Sequence, residues 1–440
     1  MPPRWEGVVG TRRRSLRAVA ALVAAATLLS ACGDGAGGDK GSGSADPAKL
    51  TVWMMGEGGD PQTAFLDEVE TAFKVKHPRT DVVVQYVPWL EAPKKFQAAL
   101  AGGEGPDVTE LGNTETQGWA AQEALADLSG RMSGWAEGRD ILPDLVRNAE
   151  LDGKQYGVPW YAGVRAIFYR TDWFAEAGVQ PPKSWDELIT VAKAVQAKKP
   201  GTYGVAVPGN SELPFYSFLW GAGGEIATGS GTHWRSGYTA PQAQKAVTFW
   251  TGLVTTHKVA PPAAAAWNEV DARTQFATGR AAMAFAGSWQ RAAMLRDNPD
   301  LAKVIGTVPI PGPDGQPAPA FAGGSDLAIW ADSKAKDAAW DYVTTLMTKQ
   351  NNKKWADSLA FFPVYRDLVH QGYATDKIMA AFATTMQKTR LTPMTPKWIE
   401  VSRNRTVTQA MNSSVMKGQK TVAQATADAA SEMESILNAK

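Results

Sequence analysis

Between residues 48 and 125 the apolar positions switch between two periods. Positions 50–55 are a short β-branched and aromatic run that stops at Gly56, the pattern of a buried strand. Over 61–77, Phe65, Leu66, Val69, Ala72, Phe73 and Val75 recur near helical spacing until Pro78 ends the pattern. Positions 81–87 alternate around Val82, Val84 and Tyr86 as a second strand, and 94–101 is a helix stopped by Gly102-Gly103. A third strand over 107–111 and a third helix over 116–125 follow. Strands alternating with helices of this length predict βαβ units and a parallel sheet. Ligands of such sheets sit beyond the carboxyl ends of the strands. The loops there are Gly56-Glu57-Gly58-Gly59, Pro88-Trp89 and Gly112-Asn113-Thr114, and each offers polar or aromatic groups.

Beyond residue 150 the pattern is less regular. Positions 157–170 read as one long strand with Pro159 near its start. Ser184 opens a helix as N-cap with Glu187 three residues on, the capping-box spacing. Positions 203–207, 281–285 and 327–330 read as strands. The second of these runs into Gly287-Ser288-Trp289, and the third follows Gly323-Gly324-Ser325. Positions 242–255, 271–278, 334–347, 350–359, 377–386 and 423–437 read as helices, and 309–319 is a Pro- and Gly-rich loop.

The start of the chain is of another kind. Arg4, Arg12, Arg13, Arg14 and Arg17 precede the apolar run 18–29, and Ser30-Ala31 then lead to Cys32, the only cysteine in 440 residues. This is the order of an export signal. Leu29-Ser30-Ala31-Cys32 resembles a lipobox, which makes Cys32 the candidate for lipid attachment. The apolar run is too short for a permanent span, which needs about 20 residues. Positions 11–17 look like a twin-arginine signal but carry Ser15 where Phe is usual, so both export routes stay open. The chain thus divides into a signal over 1–31, a flexible tether over 32–47 and a folded part long enough for two domains. Gly33-Asp34-Gly35-Ala36-Gly37-Gly38 matches the dinucleotide fingerprint formally. It lies in the tether, not between a strand and a helix, and is discarded.

Charge and motifs narrow the function by exclusion. There are 45 basic and 44 acidic residues, with much of the basic excess in the signal, so nucleic acid is not an expected partner. One cysteine allows no internal disulfide. His77, His233, His257 and His370 lack metal-ligand spacing, and neither His-Glu-x-x-His nor Gly-x-Ser-x-Gly occurs. No cofactor, metal or catalytic residue is expected. The excess is aromatic, with 17 Trp, 14 Phe and 10 Tyr. Trp89, Trp160, Trp220, Trp289 and Trp398 stand beside Gly, Pro or turn residues. A ring near a loop suits the apolar face of a sugar while polar neighbours take its hydroxyls, so the set points to a sugar cleft.

Four phrases carry a resemblance. They are Gly105-Pro106-Asp107-Val108; Tyr156-Gly157-Val158-Pro159 with Ala166-Ile167-Phe168-Tyr169-Arg170-Thr171-Asp172 and Pro182-Lys183-Ser184-Trp185-Asp186-Glu187-Leu188; Phe276-Ala277-Thr278-Gly279-Arg280-Ala281-Ala282-Met283 running on to Gly287-Ser288-Trp289; and Gly323-Gly324-Ser325 before Leu327-Ala328-Ile329. In this order, behind a lipobox, the chain resembles the family 1 extracellular solute-binding proteins of ABC importers, the group that includes maltose-binding protein, over about residues 48–437. The resemblance implies an α/β fold of the periplasmic-binding-protein type. Its two lobes would each be a mainly parallel sheet flanked by helices, with a ligand cleft between them. Crossings are expected near 159–161, 321–325 and 363–370. Lobe one is then 48–160 plus 325–365 and lobe two 161–322 plus 370–440. The implied mechanism is hinge closure on a ligand that bridges both lobes, followed by delivery to a membrane permease.

The resemblance also implies site residues. Glu57 stands where the family often places a carboxylate, Trp89 in a Pro-Trp turn suited to stacking, and Asn113 and Thr114 in a loop that supplies polar groups. Tyr161 and Arg165 would line the hinge wall, next to Gly163, where maltose-binding protein has a carboxylate. Glu212, Phe215 and Tyr216 fall where the second lobe gives an aromatic shelf, and Trp289 where a Trp stacks on sugar. Gly324 and Ser325 would let backbone and hydroxyl approach the ligand, and Trp398 would close the cleft. The expected ligand is a neutral di- or oligosaccharide, because no charge clusters in the loops read as its lining. Chitobiose, maltose-type, cello- and xylo-type sugars stay open. The expected partners are that sugar, ABC permease subunits and the membrane, reached through Cys32, with the protein a monomer on its extracytoplasmic face. Two rivals remain at this point. A lipid-tethered sugar sensor has the same fold, and a glycoside-acting enzyme needs two carboxylates about 5–5.5 Å apart in the retaining case.

Overall fold

The computed structural model describes residues 46–369 and 371–439. The expectations for the signal and for Cys32 lie outside the described residues, as does His370. In chain order the strands of the two principal sheets are β1 (Lys49–Met55), β2 (Asp81–Val87), β3 (Val108–Gly112), β4 (Val158–Gly163), β5 (Arg165–Arg170), β6 (Met283–Gly287), β7 (Ile305–Val308), β8 (Gly323–Ile329) and β9 (Phe362–Pro363). The larger sheet has the order β9-β4-β8-β3-β1-β2, and the smaller β6-β5-β7. All belong to one compact unit that begins at Asp46.

Within the larger sheet β1 is parallel to β2, with Leu50 beside Val82, and to β3, with Val52 beside Val108. β8 runs antiparallel to β3 and β4, and β9 antiparallel to β4. In the smaller sheet β5 is antiparallel to both neighbours, while Tyr203 and Ala206 bridge in parallel to Ala281 and Ala284. The sheets are therefore mixed, where mainly parallel ones were expected. Connectivity explains the difference. β5 and β8 each enter their sheet directly from the other, so they start at the facing edge and run against strands that end there.

The stretch 157–170, read above as one strand, is two. β4 ends at Gly163, buried Val164 follows, and Arg165 opens β5 in the other sheet. The first passage between the sheets thus lies at Val164, not at 159–161. The second runs from β7 through 309–322 to β8. The third leads from β9 to the helix Met379–Met386, which packs on β5 and β7.

Helices cover both faces of each sheet, which is why the strands read as apolar runs. On one face of the larger sheet Leu50, Val52, Met54 and Leu327 meet Phe65, Leu66, Val69 and Phe73 of the helix Gln62–Lys74 and Tyr342 of the helix Lys336–Leu346. On the other face Trp53, Met55 and Leu111 meet Phe96, Trp119 and Trp330. Ile167, Met283 and Phe285 of the smaller sheet pack with Trp185, Phe218 and Trp250 and with the helices Val407–Met416 and Val422–Leu437. Burying each such side chain contributes about 1.5–3 kcal/mol. The Ser184 cap forms, its hydroxyl accepting from Glu187 N at 3.2 Å. The reciprocal half differs, because the Glu187 carboxylate accepts from Lys183 N at 2.7 Å.

Candidate functional site

The ends of β3, β4 and β6 and the start of β5 bring one set of side chains together. Trp289 follows β6 in the 3-10 turn Ser288–Gln290 and is partly exposed. Its ring lies against Gly287 and Gly163, and a Cβ on Gly163 would come within 2.6 Å of Trp289 Cζ3. The Arg165 guanidinium stands 5.3 Å from the ring centroid. Phe361 stacks on Trp289 at 5.1 Å and 23°, and on Tyr161 at 4.1 Å and 29°.

Tyr161 and Ser325 were expected to face a ligand, but the structure turns their hydroxyls inward. The Ser325 hydroxyl donates to the Tyr161 oxygen at 2.8 Å, and Tyr161 donates to Glu110 Oε1 at 2.5 Å. Met55 N donates to Glu110 Oε2 at 2.8 Å. Burial pushes the Glu110 carboxyl up to about 7, while the donors from Ser325, Tyr161 and Met55 pull the other way. A carboxyl buried in a strand needs such partners. Gly324 serves strand packing, since a Cβ there would overlap the Tyr161 carbonyl oxygen. Asn113 is also committed internally. Its Nδ2 donates to Ala322 O at 2.9 Å, its backbone N to Gly324 O at 3.1 Å, and its carbonyl accepts from Asn148 Nδ2 at 2.5 Å. Thr114 is partly exposed beside it.

Charge gathers in the same place. Arg165, 8% exposed, donates from Nε to Glu269 Oε2 at 2.8 Å, and Ser211 donates to Glu269 Oε1 at 2.8 Å. Glu115, 3% exposed, accepts from Arg403 Nε at 2.8 Å. Glu212 accepts from Gln409 Nε2 at 2.5 Å and lies within the fields of Arg403, Glu269 and Arg165. Burial raises its carboxyl above the ordinary range. Glu115 in turn raises the Arg403 guanidinium. Three carboxylates and two guanidiniums therefore converge from separate segments. Such a cluster was not foreseen. The loops read from sequence did not include 269 or 403, and only folding brings these to Glu115.

Other expected residues divide. Trp89 is 41% exposed. Its Cζ3 and Glu115 Oε1 are each 3.6 Å from where a Gly112 Cβ would stand, so Trp89 covers the end of β3 beside the charged cluster. Glu57 is exposed. Phe215, Tyr216 and Trp398 are buried in the core of the smaller sheet and offer no face to a ligand, as are Trp160 and Trp220 in their own surroundings. The helix Leu213–Gly221 is apolar almost all round and buried almost all round, so its rings are packing. Glu110, Glu115, Glu269, Phe361 and Arg403 were not foreseen. Glu110 alone carried a signal, a charged residue inside an apolar strand. Among the described residues no cluster of three or more His, Cys, Asp or Glu could hold a metal, and no helix is long and apolar enough to cross a membrane.

Residues 57–353 match the sequence profile of a family described as bacterial extracellular solute-binding protein. The diacetylchitobiose-binding protein DasA of Streptomyces coelicolor is 28% identical over 441 residues, covering 97% of this chain and 98% of that protein. A solved ABC transporter solute-binding protein of Thermotoga lettingae, bound with α-D-tagatose, superposes with a TM-score of 0.78 at 27% identity, covering 89% of this chain and 100% of that one. The sugar-binding protein MalE of Xanthomonas citri gives 0.74 at 26% identity, covering 88% and 97%.

Proposed function

The chain belongs to the bacterial extracellular solute-binding protein family of ABC transporters, and from that premise we propose that it captures a carbohydrate in the cleft between its two sheets. The observation that carries this reading is Trp289. Its partly exposed ring stands where strands of both sheets end, beside Arg165, which is bonded to Glu269. A flat apolar ring next to compensated charges matches a sugar, which is apolar on its ring faces and rich in hydroxyls at its rim. The diacetylchitobiose ligand of the Streptomyces relative and the tagatose of the Thermotoga structure support the carbohydrate class. We take the ligand to be a neutral di- or oligosaccharide.

In this reading lobe one is 48–163 plus 323–365 and lobe two the remainder of the folded part, with the first crossing moved to Val164. The sugar bridges the lobes, stabilises their closed arrangement and is handed to permease subunits. Cys32 anchors the chain to the extracytoplasmic face of the membrane. The chain works as a monomer and performs no chemistry on the sugar, as membership of a binding family supports. The lipid-anchored sensor has no separate observation in its favour.

The test is a thermal-shift panel of maltose, cellobiose, xylobiose and N,N′-diacetylchitobiose. Binding to the folded state adds about 2.7 kcal/mol at a hundredfold excess over Kd. A selective shift with the sugar recovered intact is expected. A flat response across neutral sugars rejects the carbohydrate reading, and a cleaved sugar rejects the purely binding role.

A further inference from the structure

We propose that Phe361 is a positioning residue for Trp289, acting through a stack that Gly163 leaves room for. The inference rests on the reading of Trp289 as the sugar platform. Phe361 follows the helix Lys349–Leu359 and precedes β9, so it is carried by the larger sheet, while Trp289 is carried by the smaller. The Phe361 ring stacks with both Tyr161 and Trp289. The base of this column is fixed, because the Tyr161 hydroxyl is held between Ser325 and Glu110. The residues just before the two rings are tied as well, Ser288 Oγ donating to Ala360 O at 2.5 Å. Ala360 takes a left-handed backbone, φ +58°, and that turn aims Phe361 at the column.

Gly163 completes the arrangement. A Cβ there would stand 2.6 Å from Trp289 Cζ3 and 3.2 Å from Phe361 Cδ1, so a side chain would wedge against both rings. The stack therefore requires a glycine at 163 and an aromatic at 361. Two consequences follow. The hinge-side wall of the cleft is a ring column. The orientation of Trp289 also depends on the approach of the two lobes, since parting them draws Phe361 away from it.

The experiment is titration calorimetry with the panel sugar that gives the largest thermal shift, on wild type, Phe361→Leu, Phe361→Tyr, Gly163→Ala and Trp289→Ala, each checked by melting. Leu keeps bulk without a ring, Tyr keeps the ring, and Ala at 163 disturbs the column from the other side. Phe361→Leu and Gly163→Ala are each expected to weaken binding at least fivefold, Phe361→Tyr to stay within twofold, and Trp289→Ala to lose more than either. Wild-type affinity in Phe361→Leu, or failure of Phe361→Tyr to retain affinity, overturns the positioning role. Wild-type affinity in Trp289→Ala overturns the platform reading itself, so the two failures are distinct.

Discussion

Replacing Asp326 with Asn is expected to remove one proton's worth of pH dependence from folding. Asp326 lies at the bulge in β8, 1% exposed, and its carboxyl accepts from Thr116 Oγ1 at 2.5 Å. Burial pushes its pKa up to about 7 from the ordinary 3.8, against the pull of the Thr116 bond. A carboxyl whose native pKa is raised contributes stability that is fully present below the unfolded value and is lost as pH rises through the native one. Between those limits the unfolded chain has released a proton that the native chain keeps, so each pH unit upward removes about 1.4 kcal/mol. The interval from 3.8 to about 7 then amounts to about 4 kcal/mol. The Asn variant cannot ionise there. Its unpaired amide lowers stability by a constant amount, about 1–3 kcal/mol, that does not change with pH. Urea unfolding of both proteins from about pH 4.5 to about pH 8 tests this. The wild-type advantage should shrink by about 3 kcal/mol across the range. Glu110, also raised, and Asp127, Asp172 and Asp367, which are lowered, are common to both proteins and cancel in the difference. Parallel curves would show that Asp326 does not change protonation differently on folding and would refute the argument.

Three further outcomes are expected. Trp289→Ala should weaken sugar binding by about 2 kcal/mol, roughly thirtyfold, with the melting temperature little changed; calorimetry and a melting scan decide it. Gly324→Ala should lower unfolding free energy by about 2 kcal/mol or more, because the new methyl meets the Tyr161 carbonyl and drives β8 from β4; an unchanged urea midpoint contradicts this. Arg403→Ala leaves Glu115 buried without its ion pair, and the expected loss is about 1 kcal/mol, kept small because the Arg403 side chain is 42% exposed. A double-mutant cycle with Glu115→Gln measures that coupling, and a value near zero removes the pair from the account.

What could be read from sequence follows the physics of each segment. The strand over 81–87 was legible to the residue, because the inward-facing Val82, Val84 and Tyr86 recur at every second position of the edge strand β2. The helix Val422–Leu437 was legible within a residue for the same kind of reason, having one apolar face. The helix Leu213–Gly221 was missed, since a segment buried on every side carries no periodicity. The break at Val164 was passed over, although Gly163 and Arg165 interrupt the apolar run there, because both flanking strands are largely buried and neither residue alone ends a strand. Of the residues gathered at these strand ends, Trp289 and Arg165 were singled out from sequence, but their neighbours were not. Glu269 comes from the start of one helix and Arg403 from a short turn of π-helix, and no spacing links them to Glu115. Tyr161 and Ser325 were read as cleft residues, and the structure commits their hydroxyls to Glu110 and to each other. A bulge at Ser325/Asp326 shifts the register between β8 and β4, and the pattern cannot show which hydroxyl then finds Glu110.

The charged cluster bears directly on how closure would be governed. Glu115 is carried by the larger sheet and Arg403 by the elements of the smaller one, so their ion pair favours approach of the lobes whether or not sugar is present. Its worth is about 1 kcal/mol for a partly exposed pair, a population shift of roughly fivefold. Moving an equilibrium from 1:99 to 99:1 takes about 5.5 kcal/mol. The pair therefore biases the lobes without locking them, and most of the closing energy has to come from contacts that exist only with sugar in place. Under the proposed function, Arg165 is the residue placed to supply such a contact. Its Nε is committed to Glu269, which fixes the guanidinium over Trp289, and its remaining N–H groups keep donors for hydroxyls. Compensated charges of this kind bind a neutral ligand well, because each group is already oriented and only its spare donors or lone pairs change partners when the sugar replaces water.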